Sequence, residues 1–176
     1  MFDKGGFPKE YFGDLETYQQ TARSSDGRPT KFPIRFSHEL IGRLNAVLAD
    51  DRVQLCWLTS WRAQVAKPAK RMGLVSARPP VVIDYPETRD RSQAGKPAGL
   101  ENFLRDVPPK ARVVWVDDTR HSGPSYTHTQ CVELCLQRAG QRFLPIGPDD
   151  RHGISRAEMA RIESFTNLPA NPKRRL

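Results

Sequence analysis

The sequence predicts an α/β fold in which a parallel sheet carries helices on both faces. Three observations lead there. Four short apolar runs, at Val53–Leu58, Pro79–Tyr85, Val113–Val116 and Phe143–Ile146, lack the strict polar alternation of a one-sided sheet and suit strands covered on both faces. Amphipathic helical stretches separate these runs, and strand–helix alternation is the pattern of a doubly wound parallel sheet. Two of the runs stop on polar pairs, Thr59-Ser60 and Asp117-Asp118. Right-handed crossovers gather the carboxyl ends of parallel strands on one edge, so both pairs are expected at one rim.

In chain order, residues 1–36 read as an irregular N-terminal segment. It has room for a short helix over Tyr11–Ala22, a loop at Ser24–Pro29, and an extended edge piece at Lys31–Phe36. The α/β domain spans 37–166. Ser37 is an N-cap type, and Leu40, Ile41, Leu44, Val47 and Leu48 fall on one helical face. After the Val53–Leu58 strand, a helix is predicted from about Trp61 to Met72, kinked or split by Pro68 and closed by Gly73. Glu87–Gly95 is a polar loop, and Pro97 suits the first turn of a helix carrying Leu100, Phe103 and Leu104. Beyond the Val113 strand comes a loop at Thr119–Ser125. Val132, Cys135, Leu136 and Ala139 mark the next helix, which Gly140 closes. Ser155 and Glu158 have capping-box spacing, with Ile154 and Met159 at staple spacing and Ile162 and Phe165 on the buried face. The basic tail 167–176 is expected to be disordered.

The chain has 176 residues, enough for one domain with a full core, and a net charge of +8 at pH 7. That charge favours anionic partners: a nucleotide, a nucleic acid or a phosphorylated small molecule. Three cysteines, an odd number, point to reduced and mostly buried thiols in a cytoplasmic protein. Cys131, Cys135 and His128 have no second Cys/His cluster to complete a zinc site. No apolar run approaches the ~20 residues that a membrane-spanning helix needs.

The rim residues form a coherent set. Asp117 and Asp118 can hold Mg²⁺, a hard ion that prefers carboxylate oxygens and keeps several waters. Thr59 and Ser60, next to a helix start, can hold phosphate oxygens, and Lys96 can neutralise the same phosphate as a point charge. Phosphoryl transfer needs little more than such positioning and charge stabilisation. Each residue also has a plainer reading. Thr59 can cap the following helix, Lys96 is one of 28 basic residues, and Arg120 can simply neutralise an acid. His121 and His128 can be surface histidines of the loop after the acids. The tryptophans are core residues, with Trp61 the one placed to wall a crevice.

These motifs resemble those of the haloacid-dehalogenase-like (HAD) superfamily, in particular the small domains of bacterial and phage RNA-repair proteins. Leu55–Trp61 resembles the family's second motif, a hydrophobic strand ending in Thr. Gly95-Lys96-Pro97 resembles the third, with its phosphate-binding Lys. Val113–Asp118 resembles the fourth, the metal-binding acids, and Gly153-Ile154-Ser155 resembles the C-terminal end. The likeness covers roughly residues 37–166. It implies a three-layer Rossmann-like sheet without a sizeable cap domain, and Mg²⁺-dependent hydrolysis of a phosphate ester.

One motif departs. The family's first motif is a buried strand ending in Asp-x-Asp-Gly, whose first Asp is the nucleophile and second the general acid/base. Here only Phe2-Asp3-Lys4-Gly5-Gly6 is available. Asp3 can stand for the nucleophile, but Gly5 takes the acid/base position and has no side chain to carry a proton. Losing that help costs about 10²–10⁴ in rate. Three accounts stay open: a start downstream of the true one, a degenerate relative that binds phosphorylated ligands, nucleic acid or a protein without turnover, or replacement by another acid such as Asp14 or Asp84.

Overall fold

The computed structural model describes residues 8–23, 28–59, 61–86, 95–117, 126–149 and 151–167. The chain is mixed α/β. Its strands are β1 (Leu15–Arg23), β2 (Pro29–Ser37), β3 (Cys56–Trp57), β4 (Val81–Val82), β5 (Val113–Val116) and β6 (Phe143–Ile146). Its helices are α1 (His38–Leu48), α2 (Ala66–Arg71), α3 (Lys96–Asp106), α4 (Tyr126–Ala139) and α5 (Arg156–Asn167).

Within the N-terminal segment, Lys31–Phe36 is extended as predicted, as part of β2, but Leu15–Arg23 is a strand and not irregular or helical. β1 and β2 pair antiparallel over nine residues each, with Tyr18 opposite Ile34, so the short helix expected over Tyr11–Ala22 does not form. Thr17, Tyr18 and Thr21 are strand formers, and partners 18, 16 and 10 residues further on fix their state. One hairpin face is wet, with Thr17, Gln19, Thr21, Lys31, Pro33 and Arg35 all exposed. The other carries Tyr18, Ile34 and Phe36 onto Ile41 and Leu44 of α1 and onto Met72 and Leu74.

The parallel strands form two separate pairs. β3 pairs with β4 and β5 with β6, and among the described residues neither β3 nor β2 pairs with β5. The expected Val53–Leu58 and Pro79–Tyr85 strands shrink to two residues each. Local chemistry accounts for this. Gln54 donates its side-chain N–H to Leu55 O and Pro79 O at 3.0 and 2.8 Å, so a side chain meets the Pro79 carbonyl, while Leu55 O also takes the ladder N–H of Val81 at 2.9 Å. Pro79 and Pro80 themselves have no N–H to give.

Both pairs turn one face to the same helices. Cys56, Leu58 and Ile83 from the first pair, and Val113, Trp115 and Phe143 from the second, pack with Leu100 and Leu104 of α3 and Cys131 and Cys135 of α4. The opposite face of β5–β6 presents Val114, Leu144 and Ile146 to Leu40, Leu44 and Val47 of α1 and to Met159 and Ile162 of α5. Alternating residues of β5 thus serve two cores, as the unbroken apolar run implied.

Several local predictions hold. Ser37 caps α1, accepting the N–H of Leu40 at 3.0 Å. Ser155 and Glu158 cap reciprocally, at 2.8 Å from Ser155 N to Glu158 Oε2 and 3.2 Å from Glu158 N to Ser155 Oγ. The expected Trp61–Met72 helix is split into a 3₁₀ turn over Arg62–Val65 and α2, with Pro68 in the first turn of α2. Gly73 ends it in the left-handed region, φ 76°, and Leu74 N–H reaches back to Ala69 O at 3.0 Å. Between α1 and α5, Arg43 and Arg156 both lie over Phe12 and are held by Glu163 and Glu39 respectively.

Candidate functional site

Of the residues that the sequence assigns to one rim, the structure describes Thr59, Lys96 and Asp117. Asp3, Ser60 and Asp118 lie outside the described residues, as do Arg120 and His121.

Thr59 follows β3 and is half-buried. Its Oγ1 accepts the N–H of Trp61 at 3.2 Å, so the hydroxyl does hold the turn into the Arg62–Val65 helix. The remaining lone pair and the hydroxyl hydrogen are not used by that bond.

Lys96 opens α3 and is 7% exposed, the one buried charged residue among the described residues. Two glycines set its position. A Cβ on Gly95 would lie 2.3 Å from Pro86 O, and one on Gly99 would lie 2.5 Å from both Asp84 O and Tyr85 Cβ. The first turn of α3 is therefore seated directly on the chain that leaves β4, and only glycine permits that approach. Among the described residues, Lys96 has no hydrogen-bond or ion-pair partner. Its ammonium is not among the fully buried unpaired polar atoms, so the stem is buried while the charged end keeps access to solvent, in the first turn of an 11-residue helix with no acid there and no capping side chain.

Asp117 follows β5 and continues its ladder, donating its N–H to Ile146 O at 3.3 Å. One carboxylate oxygen lies 3.3 Å from Nδ1 of His128. His128 belongs to α4, not to the preceding loop. It stands three residues before Cys131 and seven before Cys135, on the stripe that α4 buries, and its side chain is 12% exposed. That spacing was available in the sequence. The Ser/Gly/Pro run ending at Ser125 masked where the helix begins.

Burial pushes the Cys131 thiol up to about 11, with Lys96 pulling it down and Asp117 pushing it up. Burial likewise raises Cys135 to about 12 and Cys56 to about 11. All three are core thiols, protonated at neutral pH and poor nucleophiles or metal ligands. Of the two acids considered as replacements, Asp14 is engaged in capping α1, and Asp84 Oδ1 accepts its neighbour's N–H from Tyr85 at 2.9 Å.

No protein-family model matches the chain, and no curated protein and no solved structure matches it. Among the described residues, no helix is long and apolar enough to cross a membrane.

Proposed function

We propose that this chain is a HAD-like domain that binds a phosphorylated ligand at the Thr59–Lys96–Asp117 rim, with Mg²⁺-dependent phosphate ester hydrolysis as its chemistry. On this reading the two parallel pairs, which share the α3–α4 layer, are halves of one three-layer Rossmann-like sheet. The observation that carries the proposal is Lys96. A lysine with a buried stem and, among the described residues, no partner, at a helix N-terminus without a capping side chain, is placed to take an anion. A phosphate oxygen there would receive the ammonium and the first-turn N–H groups of α3, while the Thr59 hydroxyl donates a further hydrogen bond.

Asp117 fits a divalent ion as one carboxylate ligand. It is part-exposed, and only one of its oxygens is engaged by His128. Mg²⁺ takes one or two carboxylates and completes its shell with water and phosphate, which leaves Asp118 as the second protein ligand. The metal would neutralise charge on the transferring phosphoryl group. His128 orients the Asp117 carboxylate. Asp3 is the residue to which the family likeness assigns attack on phosphorus.

A second reading keeps the site and drops the turnover: a phosphate-dependent binding module for nucleic acid or a partner protein. The glycine at position 5, where the family carries its acid/base, favours it. Two measurements separate the readings. Inorganic phosphate should raise the melting temperature of the wild type but not of Lys96→Met, because a ligand that binds only the folded state stabilises it. Hydrolysis of p-nitrophenyl phosphate with Mg²⁺, abolished in Asp117→Asn, supports the enzyme. Phosphate binding without hydrolysis supports the module, and the absence of both ends the proposal.

A further inference from the structure

Right-handed crossovers fix the order of the two parallel pairs within the sheet proposed above. α3 carries β4 to β5 and α4 carries β5 to β6 on one face, where Leu100, Leu104, Cys131 and Cys135 form a shared core, so both connections step in the same direction. α2 carries β3 to β4 on the opposite face. There Met72 and Leu74 join Ile41 of α1 in one core and Tyr18 donates its hydroxyl to Pro68 O at 3.3 Å, so this connection steps the other way. One order satisfies all three: β4, β3, β5, β6. β3 and β5 are the inner strands, yet among the described residues they do not pair with each other.

Their facing edges are open. Leu55 O and Trp57 O take the N–H groups of Val81 and Ile83 at 2.9 Å each, so β3 bonds to β4 through Leu55 and Trp57, and Cys56 and Leu58 turn their N–H and C=O groups away from β4. Asp117 N–H reaches Ile146 O, so Trp115 and Asp117 face β6, and Val114 and Val116 face away from it. Among the described residues no backbone group of Cys56, Leu58, Val114 or Val116 has a partner. The outer edges differ. They carry Pro80, just before β4, and Pro145 of β6 at outward-facing positions, with no N–H for a further strand. Burial is inverted as well. Inner strands of a sheet covered on both faces are its most buried, but no residue of β3 or β5 is buried and Val116 is 45% exposed. Ile146 of β6 is 1% exposed, and Ile83, just past β4, is 6% exposed. The Trp115 indole N–H is buried without a hydrogen-bond partner among the described residues, a further donor left over on β5.

We propose that the gap between β3 and β5 is a docking slot for one extended, apolar segment of another polypeptide, which completes the sheet as its middle strand. Two open edges call for a backbone, which donates and accepts hydrogen bonds on both sides. The two faces call for apolar side chains, one against the core of Leu58, Trp115 and Leu100 and the other against that of Val114 and Leu40. The chain's other stretches supply no such strand. Residues 1–7, 24–27, 87–94, 118–125 and 168–176, outside the described residues, contain no apolar run to match Val113–Val116. The slot rests on the sheet reading above but needs neither phosphate nor Mg²⁺, so it stands or falls apart from the rim chemistry.

The probe is the peptide acetyl-Lys-Lys-Val-Ile-Val-Ile-Val-Lys-Lys-amide, added to the full chain in EDTA without phosphate. Binding is read by tryptophan fluorescence and by amide hydrogen exchange in NMR spectra. In the free chain the amides of Cys56, Leu58, Val114 and Val116 should exchange faster than those of Val81, Ile83 and Asp117, and saturating peptide should slow all four at least about tenfold. The same peptide with proline in place of its central valine should not bind, because it breaks the new ladder. Val116→Pro removes an N–H from the inner edge and should weaken binding at least about tenfold, whereas Val82→Pro removes one from the outer edge and should leave binding unchanged. The two peptides on the wild type decide the question even where a proline variant does not fold. The inference is overturned if the free chain already protects the four amides, if the peptide is not bound, if the proline peptide binds as well as its parent, or if Val82→Pro loses as much as Val116→Pro.

Discussion

The Ser37 hydroxyl donates to Asp14 Oδ1 while its oxygen accepts the N–H of Leu40 at 3.0 Å, and the other Asp14 oxygen accepts the N–H of Glu39 at 2.9 Å. Two side chains 23 residues apart thus satisfy the start of α1 together and tie the entry of the hairpin to its exit. Ser37 is only 2% exposed, so water cannot replace it. Ser37→Ala should cost about 1–2 kcal/mol, near the upper end for a cap, because the part-buried Asp14 contact goes with it. Urea denaturation measures this, and a loss below about 0.3 kcal/mol would show that the cap is dispensable.

Stability should fall in acid through a defined set of carboxylates. Burial works to raise Asp14, but the Ser37 hydroxyl and the Glu39 N–H outweigh it and lower its pKa. Hydrogen bonds from Arg156 and Arg43 lower Glu39 and Glu163. A carboxylate depressed in the folded state contributes stability that is fully present above its unfolded value, about 4, and is lost as pH falls through the lower folded value. Melting temperature should therefore be flat between pH 5 and 7 as far as these groups are concerned, and drop below about pH 4. The double variant Glu39→Gln/Glu163→Gln should begin less stable and show a shallower acid limb. An identical acid limb would place the titrating groups elsewhere.

These two clusters show what could be read from the chain and what could not. Ser37 as a cap, the Ser155/Glu158 box, Gly73 as a helix stop and the two-sided burial of β5 are all decided within a few residues, and local sequence revealed them. The hairpin was missed because β1 owes its state to β2, through pairing that periodicity in Tyr11–Ala22 does not encode. The split of the parallel strands was missed for a similar reason. A six-residue apolar run looks like a full strand, yet its partner begins with Pro79-Pro80, which have no N–H to give, and the ladder is two residues long. At the rim, residue types pointed to Lys96 and Asp117, but burial of the lysine and capture of Asp117 by His128 depend on how α3 and α4 are seated.

The seating of α3 gives a sharp contrast between two helical glycines. A Cβ on Gly99 would sit 2.5 Å from Asp84 O, a backbone atom, whereas a Cβ on Gly42 in α1 meets nothing within 4 Å. Gly99→Ala must push α3 off the β4 exit and should cost about 1–3 kcal/mol. Gly42→Ala should stabilise by up to about 1 kcal/mol through helix propensity alone. Phosphate binding should suffer in the first variant and not in the second, because only Gly99 holds the turn that carries Lys96. Equal effects of the two substitutions would mean that the close approach of α3 to Tyr85 is not maintained in solution.

Replacing Lys96 by methionine separates a structural lysine from a ligand-binding one. A buried lysine that is part of the architecture has a partner, and truncating it strands that partner, at a cost of about 3–5 kcal/mol. A lysine whose stem is buried and whose ammonium reaches solvent strands nothing when methionine, of similar length and no charge, replaces it. Lys96→Met should therefore be within about 1 kcal/mol of the wild type in buffer free of phosphate and sulfate. Adding phosphate should then favour the wild type, because it gains RT ln(1 + [L]/Kd) and the variant gains nothing. At a phosphate concentration 100 times Kd that gain is about 2.7 kcal/mol, a size that urea denaturation resolves easily. A variant that is markedly destabilised in anion-free buffer would assign Lys96 a protein partner and remove the main support for a phosphate at this rim.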